Sequence, residues 1–276
     1  MQFTHSHTLS GKGDRAEEFH VRLAGIATDA EHRLYALGDR EIKRFTPDGE
    51  LEAQLPTSDA GWSIAVGEDS LWVGLQGGIE QLDFDGKPLQ RIEDADRLGL
   101  VTGLAVVGET LLAADATNRT IHLYRSGKWV QEVGNKVNTR GFMIPNGVLD
   151  LALDADHASV VVAHPQKHRV ERYNLKGVLT DRFGHFGMND PADFGGCCNP
   201  TNITATAEGM IAVSEKAPPR VKVFTSEGEF LTQSPDGVFD SNTKNIDLAA
   251  DGHGRLYATD PLRCAIEVFL LQATGH

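Results

Sequence analysis

The chain has 276 residues, 40% of them hydrophobic, and a formal net charge of −13. That length and apolar content suffice for one large core, and no run of about 18 apolar residues provides a membrane-spanning helix. With 26 basic against 39 acidic residues, there is no general positive field for phosphates, so neither nucleic acid nor an anionic membrane is an expected partner.

The N-terminal MQFTHSHTLSGKGDRAEEFH belongs to no repeat and lacks the charged-then-apolar pattern of a secretory signal. The chain is therefore expected in the cytoplasm, or exported with a leader already removed. From His20 onward one phrase returns six times: an apolar run, a turn, a second apolar run, an acidic turn, then a third run and a Gly-containing hairpin. The copies are anchored at Ile26, Ile64, Leu104, Leu151, Ile203 and Leu248, 38 to 52 residues apart. Apolar residues alternate with period two inside each copy, and Asp-Gly, Glu-Gly or Ser-Gly marks the hairpins, so each copy reads as a four-stranded antiparallel meander. One such sheet cannot bury both faces, whereas a closed ring can.

The expected fold is thus all-β, a single six-bladed β-propeller with blades near 20–57, 61–94, 98–135, 146–184, 198–235 and 242–272. The sixth copy lacks its fourth strand, so the segment from Phe3 to Leu9 is expected to supply it and close the ring.

In a propeller the loop leading into a blade and the turn between its second and third strands share one face, where binding sites concentrate. That top face collects the two longest connections, GNKVNTRGFMIPNG and GHFGMNDPADFGGCCNP, at 134–147 and 184–200. It also collects all three cysteines: Cys197 and Cys198 before the fifth blade, Cys264 in a turn of the sixth. Adjacent cysteines have Cα atoms about 3.8 Å apart, below the usual disulfide range, so a bridge between them would be strained and easily reduced. As thiolates they could hold Zn(II) or another soft metal, with Cys264 or His164 completing the set. As plain thiols they pack a loop. His164 stands where other blades carry Asp39, Asp115, Glu215 and Asp260. It is a candidate for metal binding or proton transfer, or a histidine in a variable turn.

Just before the six anchors the series runs Gly25, Ser63, Gly103, Asp150, Asn202, Asp247. Asp150, Asn202 and Asp247 converging on the axis offer oxygen ligands to Ca²⁺ or Mg²⁺, or their carboxylates bond backbone N–H groups at the strand starts. Arg119, Arg169, Arg220 and Arg263 recur at turn positions near acids and are expected to brace the turns. In SEKAPPR, Lys216 and Arg220 flank the cysteine sector beside two prolines that stiffen the segment.

The recurring acid-turn-Arg-x-Ile phrase, strongest in ADATNRTIHLY, SEKAPPRVKVF and TDPLRCAIEVF, resembles the NHL-repeat family of six-bladed propellers over nearly the whole chain. FGGCCNPTNI before the fifth blade is similar to a bacterial subset with Cys-Cys-Asn-Pro at that place. The resemblance implies the propeller fold and functions that range from scaffolds to a peptide-amidating lyase. IPNG at Ile144–Gly147 is similar to part of the gluconolactonase-like signature, but it stands further ahead of its anchor than in that family, and the Glu-Gly-Pro segment is missing. Two expectations follow. One is a module that binds a protein, peptide or small-molecule ligand through the top face. The other is a metal- or thiol-dependent lyase or hydrolase with its site at the channel mouth.

Overall fold

The computed structural model describes residues 1–272, which form six four-stranded antiparallel sheets arranged as the blades of a propeller. The only helical element among them is a 3-10 turn at Pro165–Lys167. Inner strands run Leu23–Thr28, Ser63–Val66, Val101–Val107, Leu151–Leu153, Ile203–Ala205 and Leu248–Ala250. Every blade then meanders outward in chain order, except that the sixth takes its outer strand from Gln2–Ser10, paired with Ala265–Gln272 from Gln2 opposite Gln272 to Ser10 opposite Ala265. Ring closure by the N-terminal strand is therefore as expected from the incomplete sixth copy, and it removes two open sheet edges.

Alternating side chains explain why the sheets stack. Each blade is apolar on both faces near the axis, and six separate apolar clusters fill the six seams between neighbouring blades. Leu112, Ile121 and Leu123 of the third blade meet Leu151, Val160 and Val162 of the fourth in one of them. A blade alone would leave such a face in water, at about 25 cal/mol per Å² of apolar surface, so the ring is the stable unit. The outer pairing carries a register shift in each of the first five blades, for instance at Arg44/Phe45 and Arg172/Tyr173. Such bulges increase local twist.

Candidate functional site

The loops that lead into the blades are tied down by two sets of ionisable side chains, most of them buried. The first is the acidic turn. Asp39 accepts from the N–H groups of His20, Val21 and Arg22 at 2.6, 3.0 and 2.8 Å. Asp115 accepts from Gly99 and Asn118, and Asp260 from Asp240 N–H and Thr243 Oγ1. Burial pushes both acids up, but the His122 ring first and these donors next hold Asp115 below the usual carboxylate range, and the donors of Asp260 with Arg263 do the same for it.

His164 fits this series. Its Nε2 accepts from Met143 N–H at 3.1 Å, as the carboxylates do elsewhere, so the ring proton sits on Nδ1 and is donated to Glu171 Oε1 at 3.1 Å. The ring is fully buried, and burial pushes its pKa down. Both nitrogens are spent on anchoring the long loop of the fourth blade.

The second set lies one residue after the Ile or Val of each third strand: Lys43, Glu80, His122, Glu171, Lys222 and Glu267, all buried. Lys43 donates to Ala16 O, Glu80 accepts from Ser58 N–H, and Lys222 donates to Asp193 O. Glu171 takes Asn138 and Tyr173 as well as His164 and Arg169. Glu267 holds the closing strand through His5 and Thr8. This ring of loop anchors was missed in the sequence, where period two reads the positions as core. The signal was available in their common place, one residue after the Ile or Val of each third strand.

At the channel the three expected oxygen donors do meet. Asp150 Oδ2 accepts from Ile203 N–H at 2.9 Å and Asp247 Oδ2 from Ile26 N–H at 2.8 Å. The carboxylates thus bond backbone across blade boundaries. Asn202 Nδ2 reaches Asp247 Oδ1 at 3.5 Å, while the buried Asn202 Oδ1 has no hydrogen-bond partner. Gly103 makes room: a Cβ there would stand 2.8 Å from Asp150 Oδ1. Burial first, and the charge of Asp247 second, push Asp150 well above the carboxylate range; burial raises Asp247 to about 6. Below these acids a cavity of about 190 Å³ runs down the inner strands to Thr28, Val66 and Leu153. Above them Asn146 Nδ2 donates to Asn245 Oδ1 at 3.0 Å, joining the leading loops of the fourth and sixth blades. Asn245 went unnoticed in the sequence.

The cysteine sector divides. All three thiols are free, Cys197 exposed and Cys198 buried with φ +74°. The Cys198 thiol is pushed up mainly by burial and then by its hydrogen bond with the Cys197 thiol, while the nearby Lys216 acts in the opposite sense. Cys264 packs with Phe19 and Leu23 in the seam between the sixth and first blades, its Sγ 3.8 Å from Pro261 O. Among the described residues no three His, Cys, Asp or Glu side chains gather to hold a metal. The set Cys197, Cys198, Cys264 and His164 is therefore not brought together. Lys216 N–H donates to Asn199 Oδ1, and Arg220 pairs with Glu215. Arg220 also lines a cavity of about 390 Å³ under the loop of the fifth blade, with Met188, Pro191 and Pro218.

No protein-family model matches the chain, and no curated protein sequence matches it significantly. Solved structures do. A catalytically inactive virginiamycin B lyase from Staphylococcus aureus, with quinupristin, superposes with a TM-score of 0.66 at 13% identity, covering 98% of this chain and 99% of that one. A gluconolactonase from Xanthomonas campestris gives 0.65 at 19% identity over 91% and 86%. The WD40 propeller domain of Doa1 gives 0.64 at 14% identity over 91% and 79%. At these identities the likeness is one of fold: the chain is a six-bladed β-propeller whose structural neighbours include both binding and catalytic propellers.

Proposed function

We propose that the protein is a binding propeller of NHL-repeat type that docks a protein or peptide on its top face. One observation carries this reading. Six of the eleven exposed large apolar residues, Val21, Trp62, Val137, Phe186, Met188 and Leu262, lie in segments that lead into a blade or join its second and third strands, and apolar side chains left in water there are what a docking partner would cover. Arg22 stacks on Trp62 at 4.1 Å, which presents the indole as a rigid platform. The buried anchors hold the loops in place beforehand, which lowers the entropy lost on binding. Quantitative capture on the immobilised chain tests this. A partner enriched on the wild type should fall about tenfold or more on Phe186→Asp/Met188→Asp and persist on Leu89→Asp, which alters an exposed outer-strand residue. Equal loss on Leu89→Asp would sink the reading.

The channel acids favour a second reading, the metal-dependent lyase or hydrolase. Asp150, Asp247 and Asn202 offer only oxygen, and the unpartnered Asn202 Oδ1 suits a hard cation rather than zinc. A bound Ca²⁺ or Mg²⁺ would supply charge to polarise a ligand oxygen. Calorimetric titration with Ca²⁺ should show stoichiometric binding with proton release, because the raised acids must ionise, and Asp150→Asn should weaken it about tenfold or more. Absence of heat with either ion would leave these acids as strand-start ties.

A further inference from the structure

Arg119 breaks a pattern. At the corresponding turns Arg169 pairs with Glu171, Arg220 with Glu215, and Arg263 with Asp260 and Glu267. Arg119 makes no ion pair among the described residues. Its blade's acid, Asp115, is already engaged by Gly99 N–H at 2.7 Å, Asn118 N–H at 3.0 Å and the Asn118 amide at 2.7 Å. The free guanidinium instead borders a cavity of about 330 Å³ between the third and fourth blades.

The wall of this cavity contains a second exception. His122 is 2% exposed, and its Nδ1 accepts from Trp129 Nε1 at 3.3 Å, which places the ring proton on Nε2. That Nε2 has no hydrogen-bond partner; the nearest acid oxygen, Asp115 Oδ2, stands at 3.6 Å. In other blades the side chain at this place is bonded to a leading loop or to the closing strand. A buried donor without an acceptor is costly and is normally satisfied by something.

We infer that the cavity between the third and fourth blades binds a small oxyanion, a carboxylate or phosphate group held between the Arg119 guanidinium and His122 Nε2–H. Arg97, the other cation of the cavity wall, is already paired with Asp94 and stacked on Trp129, so Arg119 is the lining cation without an ion pair among the described residues. Asp96 and Glu132 border the same cavity. They oppose a multiply charged ligand and favour one that carries a hydroxyl or ammonium donor beside a single anionic group. Neither the channel acids nor the exposed apolar loop residues line this cavity, so the inference stands apart from both readings above.

The test is a titration of the intact chain with lactate and with inorganic phosphate at constant ionic strength. Heat and the Trp129 indole N–H resonance are followed together, since that N–H reports on His122 directly. Saturable binding is expected, weakened about ten- to a hundredfold in Arg119→Ala, the size of losing one charge-assisted hydrogen bond, and partly restored in Arg119→Lys. Arg119 is an exposed turn residue, so these variants should melt as the wild type does. Saturation by lactate alone assigns a carboxylate ligand, and by phosphate alone a phosphate. No saturable response to either, or an equal response in Arg119→Ala, overturns the inference.

Discussion

Replacing Glu171 with alanine is expected to cost about 3–5 kcal/mol of unfolding free energy, read by urea denaturation at neutral pH. The carboxylate is fully buried and bonded to His164, Asn138, Arg169 and Tyr173. Those donors hold it far below the usual carboxylate range against the burial that would raise it. Removing it strands a buried imidazole N–H, a phenol and an amide at once, and the network also fixes the loop of 134–147 through Asn138 and Lys167. Glu171→Gln keeps the volume and one acceptor, so a loss of about half that size is expected. Asp181→Ala, which removes an exposed partner of Arg172 at 3.4 Å, should change stability by less than about 1 kcal/mol. Equal losses in the Glu171 and Asp181 variants would show that the network is not what holds the loop.

The blade count and the closing strand were legible because period-two apolar runs and hairpin glycines are local signals repeated six times. The chemistry of the loops was less so. His164 stood out as an anomaly among acids, yet an imidazole nitrogen accepts a backbone N–H as a carboxylate oxygen does, and its acceptor role depends on Met143, 21 residues away. Cys264 shares a face with Cys197 and Cys198 in the sequence, but a blade has two faces, and Cys264 is committed to the seam with the first blade, beside Phe19. That Asp150, Asn202 and Asp247 neighbour one another was readable, because all three hold the same place before their anchors on inner strands. What the sequence could not carry was the partner of each group: that Asp150 bonds Ile203 and Asp247 bonds Ile26 follows from the order of blades around the ring.

Those two acids should give the protein an alkaline weakness of about 2–3 kcal/mol. A carboxyl whose folded pKa is raised contributes stability that is complete below its unfolded value, near 3.9, and is lost as pH rises through the folded one. For Asp247 that window runs from about 4 to beyond its folded value of about 6. Its partial exposure to channel water trims the contribution, and Asp150, raised further, extends the loss upward. Glu171, Asp115 and Asp260 have the opposite sign: their stabilisation is present above the unfolded pKa and fails as pH falls. The lowered His164 imidazole adds stability as pH rises toward its unfolded value and offsets part of the alkaline loss, so stability should peak in the mildly acidic range and decline on both sides. Asp247→Asn removes one buried charge and the repulsion on Asp150, so it should flatten the alkaline limb while leaving the acid limb in place. Urea unfolding of both proteins across the pH range measures this, and a wild-type curve that keeps rising from pH 5 to 8 would refute it. Repeating the pH 8 measurement with millimolar Ca²⁺ links the two channel readings. A cation that binds only the folded, ionised pair adds stability as its concentration exceeds the dissociation constant, so recovery of the alkaline loss in the wild type but not in Asp247→Asn identifies these acids as the cation's ligands.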